Sequence, residues 1–116
     1  MLTMFGIANC DTIKKTKKLL AELGVEFEFH DYKKKGIDSS LGQELVDAIP
    51  LEQLVNKRGT TWRKLSEHQQ QSLSKDTALS LIQDNTSLVR RPILRKGNAW
   101  LAGYDAQAIE AFVQSH

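Results

Sequence analysis

The chain has 116 residues, of which 41% are hydrophobic and 26% charged, with a formal net charge of +2. That size and balance suit a single globular domain with one core, and the small charge excess does not point to nucleic acid, whose ligands usually show a strong basic stripe. No apolar run approaches the ~18 residues that span a bilayer, and no basic, apolar, small-residue leader opens the chain, so a cytoplasmic protein with no membrane association is expected.

Leu2-Thr3-Met4-Phe5 is short, apolar and ends at Gly6, which predicts a buried strand over Met1 to Gly6. Ile7-Ala8-Asn9 reads as a loop, and Asp11 to Leu23 as an amphipathic helix with Ile13, Thr16, Leu19, Leu20 and Leu23 on one face. Asp11 or Thr12 can cap that helix, and Gly24 supplies its left-handed stop. Val25 to His30 alternates, with Val25, Phe27 and Phe29 on one side and Glu26, Glu28 and His30 on the other, as in a half-buried strand. Strand, crossover helix and strand make a βαβ unit with parallel strands. The basic run Lys33-Lys34-Lys35 is expected as a solvated loop.

From Asp38 to Asn85 the pattern is helical. Ser40 with Gln43 resembles a capping box, Leu51 to Asn56 a short helix, Thr60 or Thr61 the cap of a third helix, and Ser74 that of a fourth. Arg91 to Arg95 and Ala99 to Leu101, separated by Lys96-Gly97-Asn98, predict a β-hairpin. A final amphipathic helix covers Asp105 to Gln114. The order βαβ, helices, ββα is the plan of an α/β, thioredoxin-like domain, a mixed four-stranded sheet flanked by helices, with a helical insertion over about residues 38–86. In that topology Pro92, just ahead of the third strand, stands where a cis-proline faces the end of the first strand.

Cys10, the one cysteine in the sequence, falls at the mouth of the first helix. Open backbone N–H groups and the positive end of the helix dipole favour a thiolate there, so Cys10 is the candidate nucleophile. A single cysteine excludes an internal disulfide, and with His30, His68 and His116 scattered, no metal site is expected.

Phe5-Gly6-Ile7-Ala8-Asn9-Cys10-Asp11-Thr12, Phe29-His30-Asp31-Tyr32-Lys33-Lys34-Lys35-Gly36-Ile37, and Arg90-Arg91-Pro92-Ile93-Leu94 followed by Gly103-Tyr104 resemble the arsenate-reductase-like ArsC/Spx family, most closely its YffB branch. The resemblance spans the whole chain in order. It implies a thioredoxin-like fold and a cysteine that forms a mixed disulfide with glutathione or another small thiol, with no tightly bound cofactor. Arsenate reductases of this type place an Arg four residues after the cysteine, where this chain has Lys14. Of the cationic trio, Arg91 matches, Arg58 matches only by a shift from Asn56, and the third position holds Gly103; Gly6 replaces the frequent preceding His. These departures leave an oxyanion fewer fixed donors.

The resemblance therefore implies a glutathione-dependent thiol reductase or transferase acting through Cys10. Lys14, Arg58, Arg91 and Pro92 are the expected ligand-binding residues, glutathione or another small thiol is the co-substrate, and a protein thiol is a second substrate class. The alternatives are a Spx-like regulator that binds RNA polymerase or another partner without catalysis, and arsenate reduction. A monomer is the expected state.

Overall fold

Hydrophobic alternation makes the sheet, and the computed structural model, which describes residues 1–116, shows where each face goes. Two compact units emerge, one formed by Met1–Lys35 with Arg91–His116, the other by Gly36–Arg90.

In the first unit, β1 (Leu2–Gly6) pairs in parallel with β2 (Phe27–Asp31) and antiparallel with β3 (Ile93–Lys96), which pairs antiparallel with β4 (Ala99–Ala102). The sheet order is β2-β1-β3-β4, so the first strand lies inside and carries the cysteine loop from the middle of the sheet. Leu2 and Met4 of β1 and Leu94 of β3 point to one face, where they meet Ile13 and Leu20 of α1 (Asp11–Glu22) and Ile109, Phe112 and Val113 of α8 (Ala106–Ser115). Each such side chain removed from water contributes about 1.5–3 kcal/mol, which holds both helices on the sheet. Phe27 and Phe29 join this core, whereas Phe5 points to the opposite face, where its ring stacks on Trp100 at 5.9 Å and meets His30 at 5.3 Å. The sheet is thus mixed, helix-flanked and thioredoxin-like.

Helix α1 ends as its sequence predicts. Gly24 takes φ 69°, and the amides of Gly24 and Val25 donate to the carbonyls of Ala21 and Leu20, closing a Schellman motif. Its start differs from expectation. Cys10 itself is the N-cap, with φ −122° and ψ 130°, and Asp11 is already helical and exposed. The helix therefore begins one residue earlier than a cap at Asp11 or Thr12 would allow.

The second unit holds α3 (Ser39–Ala48), α4 (Leu51–Leu54), α5 (Thr60–Lys64), α6 (Glu67–Gln71), α7 (Lys75–Asp84) and a 3-10 turn at Thr86–Leu88. Its caps again shift from some expected residues. Asp38, not Ser40, caps α3, its Oδ1 accepting from the Leu41 amide at 2.7 Å, and Gly59 precedes α5 in place of Thr60 or Thr61. Ser74 caps α7, as the sequence predicts. Helix α6 includes Gln69–Gln71, a stretch whose sequence reads as an exposed helix edge, and it starts in a capping box in which Ser66 and Gln69 exchange hydrogen bonds of 3.0 and 3.1 Å. An isolated antiparallel bridge joins Val55 to Val89, both buried, within this unit.

Lys33–Lys35 is also not loop. These lysines form one helical turn, α2 (Tyr32–Lys35), with their side chains exposed.

Candidate functional site

The candidate site is built from three segments of the first unit. Strand β1 delivers the Ile7–Asn9 loop and Cys10, the end of β2 delivers Asp31 and Tyr32, and the segment before β3 delivers Arg91 and Pro92.

The extended backbone of Cys10 lets its carbonyl accept the first helical bond, from the Lys14 amide at 3.0 Å, while its side chain lies beside the free amides of the first turn. The thiol is half-buried, which pushes its pKa up. The amides of Ile13 and Thr12, then the charge of Arg91 and its hydrogen bond to sulfur, outweigh that effect and bring the thiol below its ordinary value of 9.0. The helix start and one guanidinium therefore act together on a sulfur still open to solvent.

The Arg91–Pro92 peptide is cis, and the Pro92 carbonyl accepts from the Gly103 amide at 2.8 Å, which ties this corner to the turn after β4. The guanidinium donates both to the sulfur of Cys10 and to the phenol oxygen of Tyr32.

Tyr32 and Asp31 belong to the site although neither is among the ligand residues expected from sequence. Tyr32 is 1% exposed, and burial raises its pKa far above the ordinary phenol value in spite of Arg91. It is a neutral phenol at neutral pH. Asp31, 8% exposed, accepts from the Ala8 amide through Oδ2 at 3.2 Å and from the Lys33 and Lys34 amides through Oδ1 at 3.0 and 3.2 Å. Burial pushes its carboxyl up, but these three amides and the Lys34 charge bring it below the ordinary carboxylate range. The only sequence signal for this role is an Asp at a strand end ahead of a helical turn, a cap position; its long-range partner, Ala8, lies 23 residues away.

A groove of about 370 Å³ runs along this loop, lined by Ile7, Ala8, Asn9, Asp31, Lys33 and Lys34. With the Asp31 charge engaged by backbone amides, the exposed ammonium groups of Lys33 and Lys34 give one wall a positive character.

The structure thus brings Cys10, Arg91 and Pro92 together with Asp31 and Tyr32. Lys14 is exposed on α1 and reaches Cys10 through its backbone amide, whereas the cation on the sulfur is Arg91. Arg58 belongs to the helical unit, where it lines a second pocket of about 380 Å³ with Glu52, Val55, Lys57 and Arg90. Its amide donates to Asn56 Oδ1 at 3.1 Å and its carbonyl accepts from Arg63 at 2.8 Å. In that unit Arg90 is anchored by donation to the carbonyl of Gln53 at 2.6 Å.

Comparison with known proteins places this geometry in a lineage. An uncharacterized protein of Haemophilus influenzae is 40% identical over 111 residues, covering 96% of this chain and 97% of that protein. A solved YffB protein superposes with a TM-score of 0.90 at 35% identity, covering 96% of this chain and 97% of the other. The global transcriptional regulator Spx of Streptococcus agalactiae is 29% identical over 119 residues, covering 97% of this chain and 83% of Spx. The ArsC family model matches residues 5–112, which include Cys10, Asp31, Tyr32, Arg91 and Pro92, and the chain belongs to the ArsC family.

Proposed function

We propose that this protein is a thiol–disulfide oxidoreductase that uses Cys10 as its nucleophile and glutathione, or a similar small thiol, as its co-substrate. The observation that carries this reading is the sulfur of Cys10 at the start of α1, partly exposed, facing the amides of Thr12 and Ile13 and hydrogen-bonded by Arg91. Each of these favours the thiolate, which is the form that attacks a disulfide.

The cycle balances as two exchanges. The Cys10 thiolate attacks the glutathione sulfur of a mixed disulfide, forming a Cys10–glutathione disulfide and expelling the substrate as a thiolate, which takes a proton from solvent. A glutathione thiolate then attacks the glutathione sulfur on Cys10, regenerating the Cys10 thiolate and releasing oxidised glutathione. The net change is reduction of one substrate sulfur as two glutathione sulfurs join in a disulfide. Since Cys10 is the one cysteine of the 116 residues, the second thiol comes from another molecule.

Glutathione carries two carboxylates, and the groove beside the cysteine loop offers Lys33 and Lys34 to one of them. Lys14, exposed on the first turn of α1, and Arg58 remain proposed contacts for the ligand.

Intact mass after incubation with oxidised glutathione tests the reading. One glutathionyl adduct is expected on the wild type and none on Cys10→Ser. Absence of the adduct from a protein whose thiol titrates at the ordinary value would overturn it. The resemblance to Spx favours a second reading, a regulatory protein that uses Cys10 without turnover. Stoichiometric adduct formation with no catalytic reduction of a mixed-disulfide substrate would select it. Arsenate-dependent turnover lost in Cys10→Ser would instead assign oxyanion reduction to the same sulfur.

A further inference from the structure

Arg91 must hold a fixed place to act on the sulfur, yet an acidic partner would neutralise the charge that makes it useful. The structure solves this with a neutral acceptor. The phenol oxygen of Tyr32 receives an Arg91 N–H within a site where Tyr32 is 1% exposed. Burial keeps the phenol uncharged, so Tyr32 can hold the guanidinium without bringing a negative charge of its own beside Cys10. The neighbouring carboxylate that would compete, Asp31, is engaged elsewhere, by the amides of Ala8, Lys33 and Lys34. Those same bonds tie the loop before Cys10 to the turn that carries Tyr32.

We propose that Asp31 and Tyr32 are positioning residues that together fix the approach of Arg91 to the Cys10 sulfur, Asp31 by holding the Ile7–Asn9 loop through Ala8 and Tyr32 by holding the guanidinium. The proposal rests on the reading of Cys10 as the nucleophile. It gives a reason for consecutive residues, the last of β2 and the first of α2, that engage different segments of the site, Ala8 in one case and Arg91 in the other. The charged and titratable groups on this arrangement are Arg91 from the segment before β3, Asp31, Tyr32, Lys33 and Lys34 from the end of β2 and α2, and Asp11 and Lys14 from the start of α1.

The test is the pH dependence of Cys10 alkylation by iodoacetamide, which reads the thiolate without glutathione. Tyr32→Phe removes one oxygen and keeps the ring. It is expected to slow alkylation at neutral pH about two- to tenfold, the range of one hydrogen bond's net worth, and to move the titration upward. In an Arg91→Ala background the same substitution is expected to change nothing further, because its effect passes through Arg91. Asp31→Asn supplies a second arm with a distinctive sign. As a bare negative charge, Asp31 would disfavour the thiolate, and its neutralisation would speed alkylation; as the holder of the loop, its loss slows it.

A Tyr32→Phe protein that titrates like the wild type, or one whose shift persists undiminished without Arg91, overturns the Tyr32 arm. Faster alkylation in Asp31→Asn overturns the Asp31 arm. Should Tyr32→Phe not fold, Asp31→Asn and Asp31→Glu decide, with the Glu variant expected to recover part of the lost rate by restoring an ionised acceptor. Oxidised glutathione is run in parallel with the same proteins. Shifted alkylation with no glutathionyl adduct in any protein would retain the positioning role and remove glutathione, whereas adduct formation with unshifted alkylation would do the reverse.

Discussion

Gly6→Ala offers a test that links core packing to the reactivity of the sulfur. Gly6 ends β1 with no left-handed backbone angle, so the penalty of a side chain there is steric alone. A Cβ built at Gly6 overlaps Ile13 Cδ1 and lies 2.8 Å from Ile13 Cγ1, with Phe29 Cε1 at 3.6 Å. Ile13 is 0% exposed and packed in the core with Leu20, Leu94 and Ile109, so a shift of its side chain presses on that packing and on the first turn of α1. Overpacking of this kind costs about 1–3 kcal/mol. Urea unfolding is expected to show the midpoint falling with the slope unchanged. Because the amide of Ile13 faces the sulfur, alkylation of Cys10 slows in the same variant. Ile13→Val removes the overlapping Cδ1 and alone costs about 0.5–1.5 kcal/mol, so the double variant is expected to be more stable than the sum of the singles by about 1 kcal/mol. Additive losses, or a Gly6→Ala protein of wild-type stability, would refute the reasoning.

The charges and the core yield further expected outcomes. Cys10 has a folded-state pKa below its ordinary 9.0, so its ionisation stabilises the fold: the advantage of wild type over Cys10→Ser is full above pH 9.0 and is lost as pH falls through the lowered pKa, measured by urea midpoints across pH. Arg91→Ala narrows that window by moving the thiol toward 9.0, visible in the same series. Lys33→Glu with Lys34→Glu is expected to slow reaction with anionic oxidised glutathione and to speed reaction with cationic cystamine, leaving iodoacetamide alkylation nearly unchanged; equal effects on both disulfides would remove the groove from the binding site. Leu20→Ala empties part of the core between α1 and the sheet and costs about 2–5 kcal/mol, read by thermal or urea unfolding.

The sheet and its two core helices are legible in the sequence because their periods are clean. Phe27 and Phe29 alternate with Glu28 and His30, and Ile13, Leu20 and Leu23 recur at helical spacing. Helix starts are less so where cap-forming residues come in runs. Asp11-Thr12 and Asp38-Ser39-Ser40 each offer several equivalent caps, and the one used is set by the last residue that tertiary structure holds extended, Cys10 in one case and Asp38 in the other. Lys33-Lys34-Lys35 carries no helical pattern of its own and turns because the Asp31 carboxylate takes two of its amides. In the site, helix position alone singles out Cys10, and its neighbourhood to Arg91 comes from the topology. The parts played by Asp31 and Tyr32 depend on partners far off in the chain, Ala8 and Arg91, which no local pattern reveals.

A cap position that welcomes negative charge on sulfur has an equal effect on departure. When an outside thiol attacks a mixed disulfide at its outer sulfur, Cys10 is the group expelled, and a sulfur whose anion is already favoured is expelled faster. In the proposed mixed disulfide that sulfur would be neutral and would forfeit the attraction of the amides and of Arg91, so regaining it would favour release. Under the proposed function, the modified chain would be a brief carrier of the thiol, its lifetime set by the supply of the next one.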